Sequence, residues 1–465
     1  MDPLPLLLGV LAGLIAGVVA VAWWWRRKRM GLFPMTTGPI ARGTNGFMAL
    51  LLVAAFATGC GSSAPMSKRD NFSYLYGKGG SQMPMQARVH HTSPGQSRVY
   101  YKLSTKDLLY KSDGGGGPFH AVVRISYESY DAFGSNVLLD SASTIIDDES
   151  NDPLEDKELI GSMDLRRKEH RSFVLKIMAR DLNRDQQSTV FLRVDKDDAG
   201  SRQYFMPVDT AHGLPLFSDH FKSGTARVRC ESCAGRSLTV QHLPGNQTLP
   251  PPVFNTSSSI STSAAVDSTF HVTVNSDGLF TMDLSLPGTY RIATDTVPGA
   301  AYCLYSVADA YPLVISAEDL LKPLRYITSN QEYDRIAKNT NVRQAVERFW
   351  IDAAGDRERG REAIRIYYGR VENANRHFTA EAEGWRTDRG LVHIIFGVPT
   401  SIYKSDLAET WVYGEENNLM SLTFTFKRRN GSSSDNDMVL ERDPLLKGAW
   451  YRNVESWRNG RVYQN

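Results

Sequence analysis

The chain has 465 residues, with 53 basic against 51 acidic side chains and a formal net charge of +2. So even a balance excludes a global field that would draw nucleic acid or an acidic surface, and no nucleic-acid partner is expected. Beyond the apolar N-terminal segments, the remaining length allows two to four domains, each able to bury its own core.

In chain order, the first element is an apolar run from Leu4 to Trp25, long enough to span a bilayer and followed by Arg26-Arg27-Lys28-Arg29. That basic cluster would hold its C-terminal end in the cytoplasm. A second apolar run, Phe47 to Ala57, is too short to span and suits the core of a signal peptide. It ends in Ala57-Thr58-Gly59-Cys60, followed by Gly61-Ser62-Ser63. This arrangement resembles the bacterial lipobox, which implies that the Cys60 thiol receives a diacylglycerol and that the chain is cut just before it. The competing reading, a buried core helix with a chance cysteine, lacks a helix-period polar face.

Residues 1–59 thus read as an N-terminal hydrophobic segment plus a lipoprotein signal peptide, and residues 60–70 as a lipid-anchored flexible tether. Two apolar segments before one lipobox are redundant. Met30 or Met35 would each open an ordinary signal peptide with Arg42 in its basic region, so translation is expected to start there. A genuine inner-membrane helix over residues 4–25 is the alternative. Neither an aspartate directly after Cys60 nor an acidic run follows. The expected address is the periplasmic face of the outer membrane, with membrane lipid as the partner through acylated Cys60.

Over residues 71–209 the pattern has period two: Phe119, Ala121, Val123, Ile125 and Tyr127 face one side of a strand. Similar runs at Gln86 to His91, Arg98 to Leu103, Ser172 to Ala179 and Thr189 to Val194, with turns such as Ser93-Pro94-Gly95, predict an immunoglobulin-like β-sandwich. A second all-β domain of that kind is expected over residues 210–312. Its strands are Arg227 to Cys230, Ser237 to Gln241, Thr269 to Val274 and Leu279 to Leu286, and Pro250-Pro251-Pro252 opens a long polar loop.

Cys230 and Cys233 have redox-motif spacing, but no thioredoxin-type pattern surrounds them, so a structural turn disulfide is expected. A lone CxxC also lacks the second ligand pair of a zinc site. Beyond Cys60 only Cys230, Cys233 and Cys303 remain, an odd number, leaving at least one thiol free or paired outside the chain. His90 and His91 are strand neighbours that face opposite sides and do not chelate together. Asp195 to Gly200 begins like a calcium loop, yet Met206 stands where the closing glutamate belongs, so a hairpin turn is expected. Asp147 to Asp156 reads as a solvated acidic loop. No metal and no cofactor are expected.

After Tyr311 the period becomes helical. Ser316 and Asp319 form an N-terminal signature, and Val342, Val346, Phe349 and Trp350 an apolar stripe. A longer helix is predicted over Asp356 to Phe378, with Ile364, Tyr367, Tyr368 and Val371 on one face and Arg357, Arg361 and Arg365 on a solvated one. Strands are expected at Gly390 to Phe396, Glu409 to Tyr413 and Ser421 to Lys427, so residues 313–465 form an α+β unit.

Within that unit stand Gly384-Trp385-Arg386-Thr387-Asp388-Arg389-Gly390 and then LVHIIFGVP, with Gly397 and Pro399. These residues, with NVRQAVERFW upstream and Trp411 downstream, resemble the GWxTD-domain family of bacterial envelope proteins. Bacteroidota members are also similar near YLYGKGGSQMPMQARVHH. This chain departs from the family pattern at Glu383 and Val398, where prolines often stand. Set between a helix end and a strand, the motif is expected to be a compact turn. Gly384 and Gly390 would take backbone angles closed to other residues, Thr387 and Asp388 would bond nearby amides, and Trp385 would bury its ring.

A sharper reading makes Asp388, Arg389 and His393 a ligand or catalytic cluster, but no nucleophile, metal-ligand spacing or phosphate loop accompanies them. The chain therefore reads as a multidomain, non-enzymatic envelope lipoprotein: two all-β immunoglobulin-like sandwich domains followed by an α+β GWxTD domain. It is expected to act as a periplasmic scaffold or protein-interaction module for other envelope proteins. The alternatives are an accessory component of a Bacteroidota secretion or gliding machine, and an enzyme or glycan-binding protein using the C-terminal domain.

Overall fold

The computed structural model describes residues 71–76, 83–112, 114, 117–166, 171–196, 201–244, 248–256, 266–293, 301–415, 418, 420–429 and 434–461. Cys60, both apolar runs, the tether and part of the Asp195 to Gly200 stretch lie outside the described residues. Among those described, no helix is long and apolar enough to cross a membrane.

Alternating side chains build the first layer pair. The strands are β1 (Gln86–Ser93), β2 (Gln96–Ser104), β3 (Lys111–Ser112), β4 (Phe119–Tyr130), β5 (Leu138–Ser150), β6 (Glu158–Leu165), β7 (Phe173–Asp181) and β8 (Gln186–Val194). They form a sheet in the order β1-β2-β6 and another in the order β3-β4-β7-β8, with β5 on β4. Ala121, Val123, Ile125 and Tyr127 of β4 are buried in a common core with Val99, Leu103, Leu175 and Ile177. That is the face the period-two pattern predicts.

One expectation fails here. Asp147 and Asp148 do not lie in a loop; they end the thirteen-residue strand β5, paired with Val122 and Ala121. This strand has β4 as its partner and leaves its outer face to water, so it carries acids where a central strand carries apolar residues. Asp148 is held by the Tyr110 hydroxyl at 2.6 Å and by Lys157 at 2.9 Å.

The second pair comprises β9 (Met206–Val208), β10 (His220–Lys222), β11 (Thr225–Arg229), β12 (Ser237–Leu243), β13 (Ser268–Thr273), β14 (Leu279–Asp283), β15 (Gly288–Ala293) and β16 (Ala301–Val307). Its sheets run β14-β11-β9 and β10-β16-β15-β12-β13 around Val228, Val240, Phe280, Ile292 and Leu304. The hydrogen-bond register puts Met206–Val208 with this pair, since Arg227 faces Val208. Cys230 and Cys233 are joined by a disulfide in the turn after β11, and Cys303 is a buried thiol.

The third body holds α1 (Ala317–Leu321), α2 (Asn330–Ala337), α3 (Val342–Ala354), α4 (Arg357–Phe378), α5 (Asp388–Phe396) and α6 (Lys447–Arg458). They pack with a sheet in the order β17 (Ser401–Lys404), β18 (Ala408–Tyr413), β19 (Leu422–Arg428) and β20 (Met438–Leu440). Ser316 caps α1 in a reciprocal capping box with Asp319, and Asp356 caps α4.

The expected strand at Gly390 to Phe396 is the helix α5. All nine of its residues are buried, so polar and apolar positions do not alternate with any period, and a short apolar run of that kind does not distinguish helix from strand. Thr387 settles the matter locally: its side chain accepts the Gly390 N–H as a helix N-cap.

Two remote segments join this third core. Phe72 and Tyr76 are buried in it, and the Phe72 N–H donates to the Ile402 carbonyl at 2.8 Å. The Phe72 ring also meets Phe133 and Phe191 of the first β pair edge-on. From the proline run, Val253 is fully buried there and its carbonyl accepts the Asp443 N–H. The stretch expected to be a polar loop thus straps the second β pair to the third body.

Candidate functional site

The GWxTD motif begins with a single 3₁₀ turn, Gly384–Arg386, that follows the end of α4. Neither Gly384 nor Gly390 has a positive φ, so the expected backbone-angle role falls away. They are needed for close approach instead. A Cβ on Gly384 would stand 1.9 Å from the Ala374 carbonyl oxygen, and one on Gly390 2.0 Å from the Gly384 oxygen. The motif turn therefore lies directly on the α4 backbone, and α5 on the turn. Of the motif glycines, Gly397 is the one with a positive φ, 88°, where α5 stops.

We expect Gly384→Ala to cost about 3 kcal/mol or more, at the upper end for overpacking because the clash is with backbone. Gly369→Ala, inside α4 with nothing within 4 Å, should stabilise by about 0.5–1 kcal/mol. Urea denaturation measures both; equal midpoints for the two variants would refute the close-approach account.

The polar groups of the motif turn inward. Trp385 is 5% exposed; its indole N–H donates to Glu383 at 2.8 Å and its backbone carbonyl accepts the Tyr326 hydroxyl. The Arg386 guanidinium lies over the Trp385 ring, 4.7 Å from its centroid. Asp388 is buried against Arg442, with Nη2 to Oδ1 at 2.5 Å, and its other oxygen accepts the Leu440 N–H at 2.8 Å. Burial pushes its pKa up, against the pull of the Arg442 charge.

Arg389 is 3% exposed. It donates to Glu409 at 3.2 Å and to the Asn436 carbonyl and side-chain oxygens, each at 3.0 Å, and its guanidinium lies over Phe378. Glu409 also accepts from the Trp411 indole at 2.6 Å and pairs with Lys404 at 3.4 Å. Burial opposes the Glu409 charge, yet Lys404 and Arg389 hold its pKa below the ordinary value. Lys404 in turn donates to the Tyr76 hydroxyl at 2.7 Å, so the N-terminal segment closes this buried ion network.

The sharper cluster of Asp388, Arg389 and His393 is not assembled. The three side chains leave α5 toward different partners: Arg442, Glu409 and Asn373. His393 is 1% exposed, and burial with the nearby Arg370 lowers its pKa to about 3, so it stays neutral. His90 meets Glu231, and His91 meets Ser97 and Gln203, so the two do face apart. Pro399 is buried beside the start of β17 and Trp411 is fully buried. Among the described residues no group of three or more His, Cys, Asp or Glu is placed to hold a metal ion.

Sequence reasoning missed the partners Arg442, Glu409, Lys404 and Asn436. No short-range spacing marks them, because they come from strands and loops up to about fifty residues from the motif. Arg389 and Glu409 also line a cavity of about 420 Å³ to which all three bodies contribute.

Residues 288–459 match the family model described as the GWxTD domain. The match begins at β15, so it takes in the last two strands of the second β pair as well as the α+β body. No curated protein matches the chain.

Proposed function

Since the chain is a GWxTD domain-containing protein, we propose that it is a lipid-anchored envelope scaffold: Cys60 is acylated, the address is the periplasmic face of the outer membrane, and the three bodies present a surface to other envelope proteins. The two β pairs are read as immunoglobulin-like sandwiches in this scheme. The observation that carries the proposal is the inward use of the motif. Thr387 caps α5, Asp388 pairs with Arg442 and Trp385 with Glu383, so the residues that define the family hold the fold together. A site meant for a substrate keeps such groups for the ligand.

Asn71 to Tyr76 is tied into the C-terminal core, only a short tether after Cys60. Extended, ten residues reach about 35 Å at most.

Mass spectrometry of the mature N-terminus should find a diacylated or triacylated Cys60, and Cys60→Ala should move the protein out of the membrane fraction. An unmodified Cys60 in membrane-bound protein would overturn the anchor. Crosslinking in intact cells followed by pull-down tests the scaffold; recovery of the chain without any stable partner would count against it.

A further inference from the structure

The cavity at the junction of the three bodies is unusually cationic. Arg88, Arg193, Arg202, Arg389, Lys404 and Arg428 line it. Facing them are four carboxylates, on Asp219, Asp406, Glu409 and Asp435. Two positive charges are left in excess, His220 being kept neutral by burial. Asp435 alone is shared by Arg202 and Arg428, and Asp219 serves Arg88.

Several donors there are unspent. Nε of Arg389, itself 3% exposed, has no hydrogen-bond partner, nor do Nη1 of Arg88 and Nε of Arg193. A buried N–H without an acceptor is costly, more so on a charged group, so three guanidinium N–H groups at one cavity are expensive unless a ligand accepts them. The cations also repel one another. Burial, with Arg428 and Arg88 close by, lowers the pKa of Arg202 to about 10, and burial with Arg193 lowers that of Arg428.

We propose that this cavity is a binding site for a phosphate dianion, free or as a phosphate monoester, taken up by the guanidinium groups of Arg88, Arg193 and Arg389 where the two β pairs meet the GWxTD domain. The volume suits a small anion with a short substituent. The charge excess matches a dianion, and guanidinium forks fit the oxygens of a tetrahedral phosphate. The donors come from different bodies, so the bound anion would also clamp them together, and binding to the folded state alone raises stability by linkage.

Calorimetric titration of the detergent-solubilised full chain with inorganic phosphate and with glycerol 3-phosphate, at constant ionic strength in chloride, tests the site. One saturable event per chain is expected, and a preference for either ligand tells a free anion from a monoester headgroup. Arg428→Gln leaves Asp435 paired with Arg202, and Arg193→Gln removes a cation that donates to the Asp406 backbone carbonyl, so neither orphans a carboxylate. Each should weaken binding at least tenfold, while Arg361→Gln on the exposed face of α4 should not. Phosphate heats no larger than those of added chloride, or affinities unchanged in both cavity variants, would overturn the proposal.

Discussion

Replacing Asp388 by alanine is expected to cost about 3–5 kcal/mol, the range for breaking a buried ion pair from one side. Asp388 is 5% exposed and the Arg442 side chain 7%, so the variant strands a guanidinium where water does not reach it. It also frees the Leu440 N–H, which Asp388 binds at 2.8 Å on β20, and so loosens the edge of the C-terminal sheet. Arg442 also donates to the Pro251 carbonyl, through which the loss spreads to the strap from the second β pair. Removing both partners in Asp388→Ala/Arg442→Met should cost less than the sum of the two single variants, since neither charge is then left alone. A urea-denaturation cycle reads this coupling. A single variant within about 0.5 kcal/mol of the parent, the usual range of a neutral surface change, would sink the structural role of the motif aspartate.

Acidification should destabilise the protein well above the pH at which carboxylates titrate. Burial, with neighbouring cations, lowers the pKa of His91 to about 4, of His377 to about 4 and of His393 to about 3. The cations beside these imidazoles are Lys196 for His91, Arg376, Arg389 and Lys404 for His377, and Arg370 for His393. In the unfolded chain all three titrate near 6.5. Below that value the unfolded state binds protons that the folded state refuses, so stability falls as pH falls, starting near 6.5 and continuing toward the folded values.

Three such groups sum to roughly 5 kcal/mol between pH 7 and pH 5. Asp388 and Glu381, whose pKa values burial raises, work the other way, taking up protons on folding in the acid range. Glu409, with its depressed value, adds stability that is present above the unfolded carboxylate range and lost only below it. Denaturation midpoints at pH 7, 6 and 5 measure the slope, and His377→Gln should reduce it by about a third. A flat profile across that range would contradict the burial of these imidazoles.

Local chemistry made much of the fold legible. Ser316 with Asp319, and Asp356 ahead of Arg357–Phe378, are helix starts that the structure keeps, because a cap is satisfied by groups within four residues. The strand β4 was readable for the same kind of reason: one wet and one dry face impose alternation. The helix α5 was not, because burial on every side erases the period that tells helix from strand. The glycines of the motif were marked as special by type alone. Only the packing of the turn on α4 tells that space, not backbone angle, is what they supply.

The sequence by itself therefore determined the strand-rich first part, the helical change after Tyr311 and the motif, all of which rest on neighbours along the chain. Tertiary structure alone decided the rest. It chose Arg442 for Asp388 and Glu409 for Arg389, and it brought Phe72, Tyr76 and Val253 into the GWxTD core. It also gathered six cations from three bodies around one cavity. The physical reason is that a buried charge must find a partner in space, and closing a long loop to reach it costs only slowly more with length, so spacing in the sequence leaves no trace of the pair.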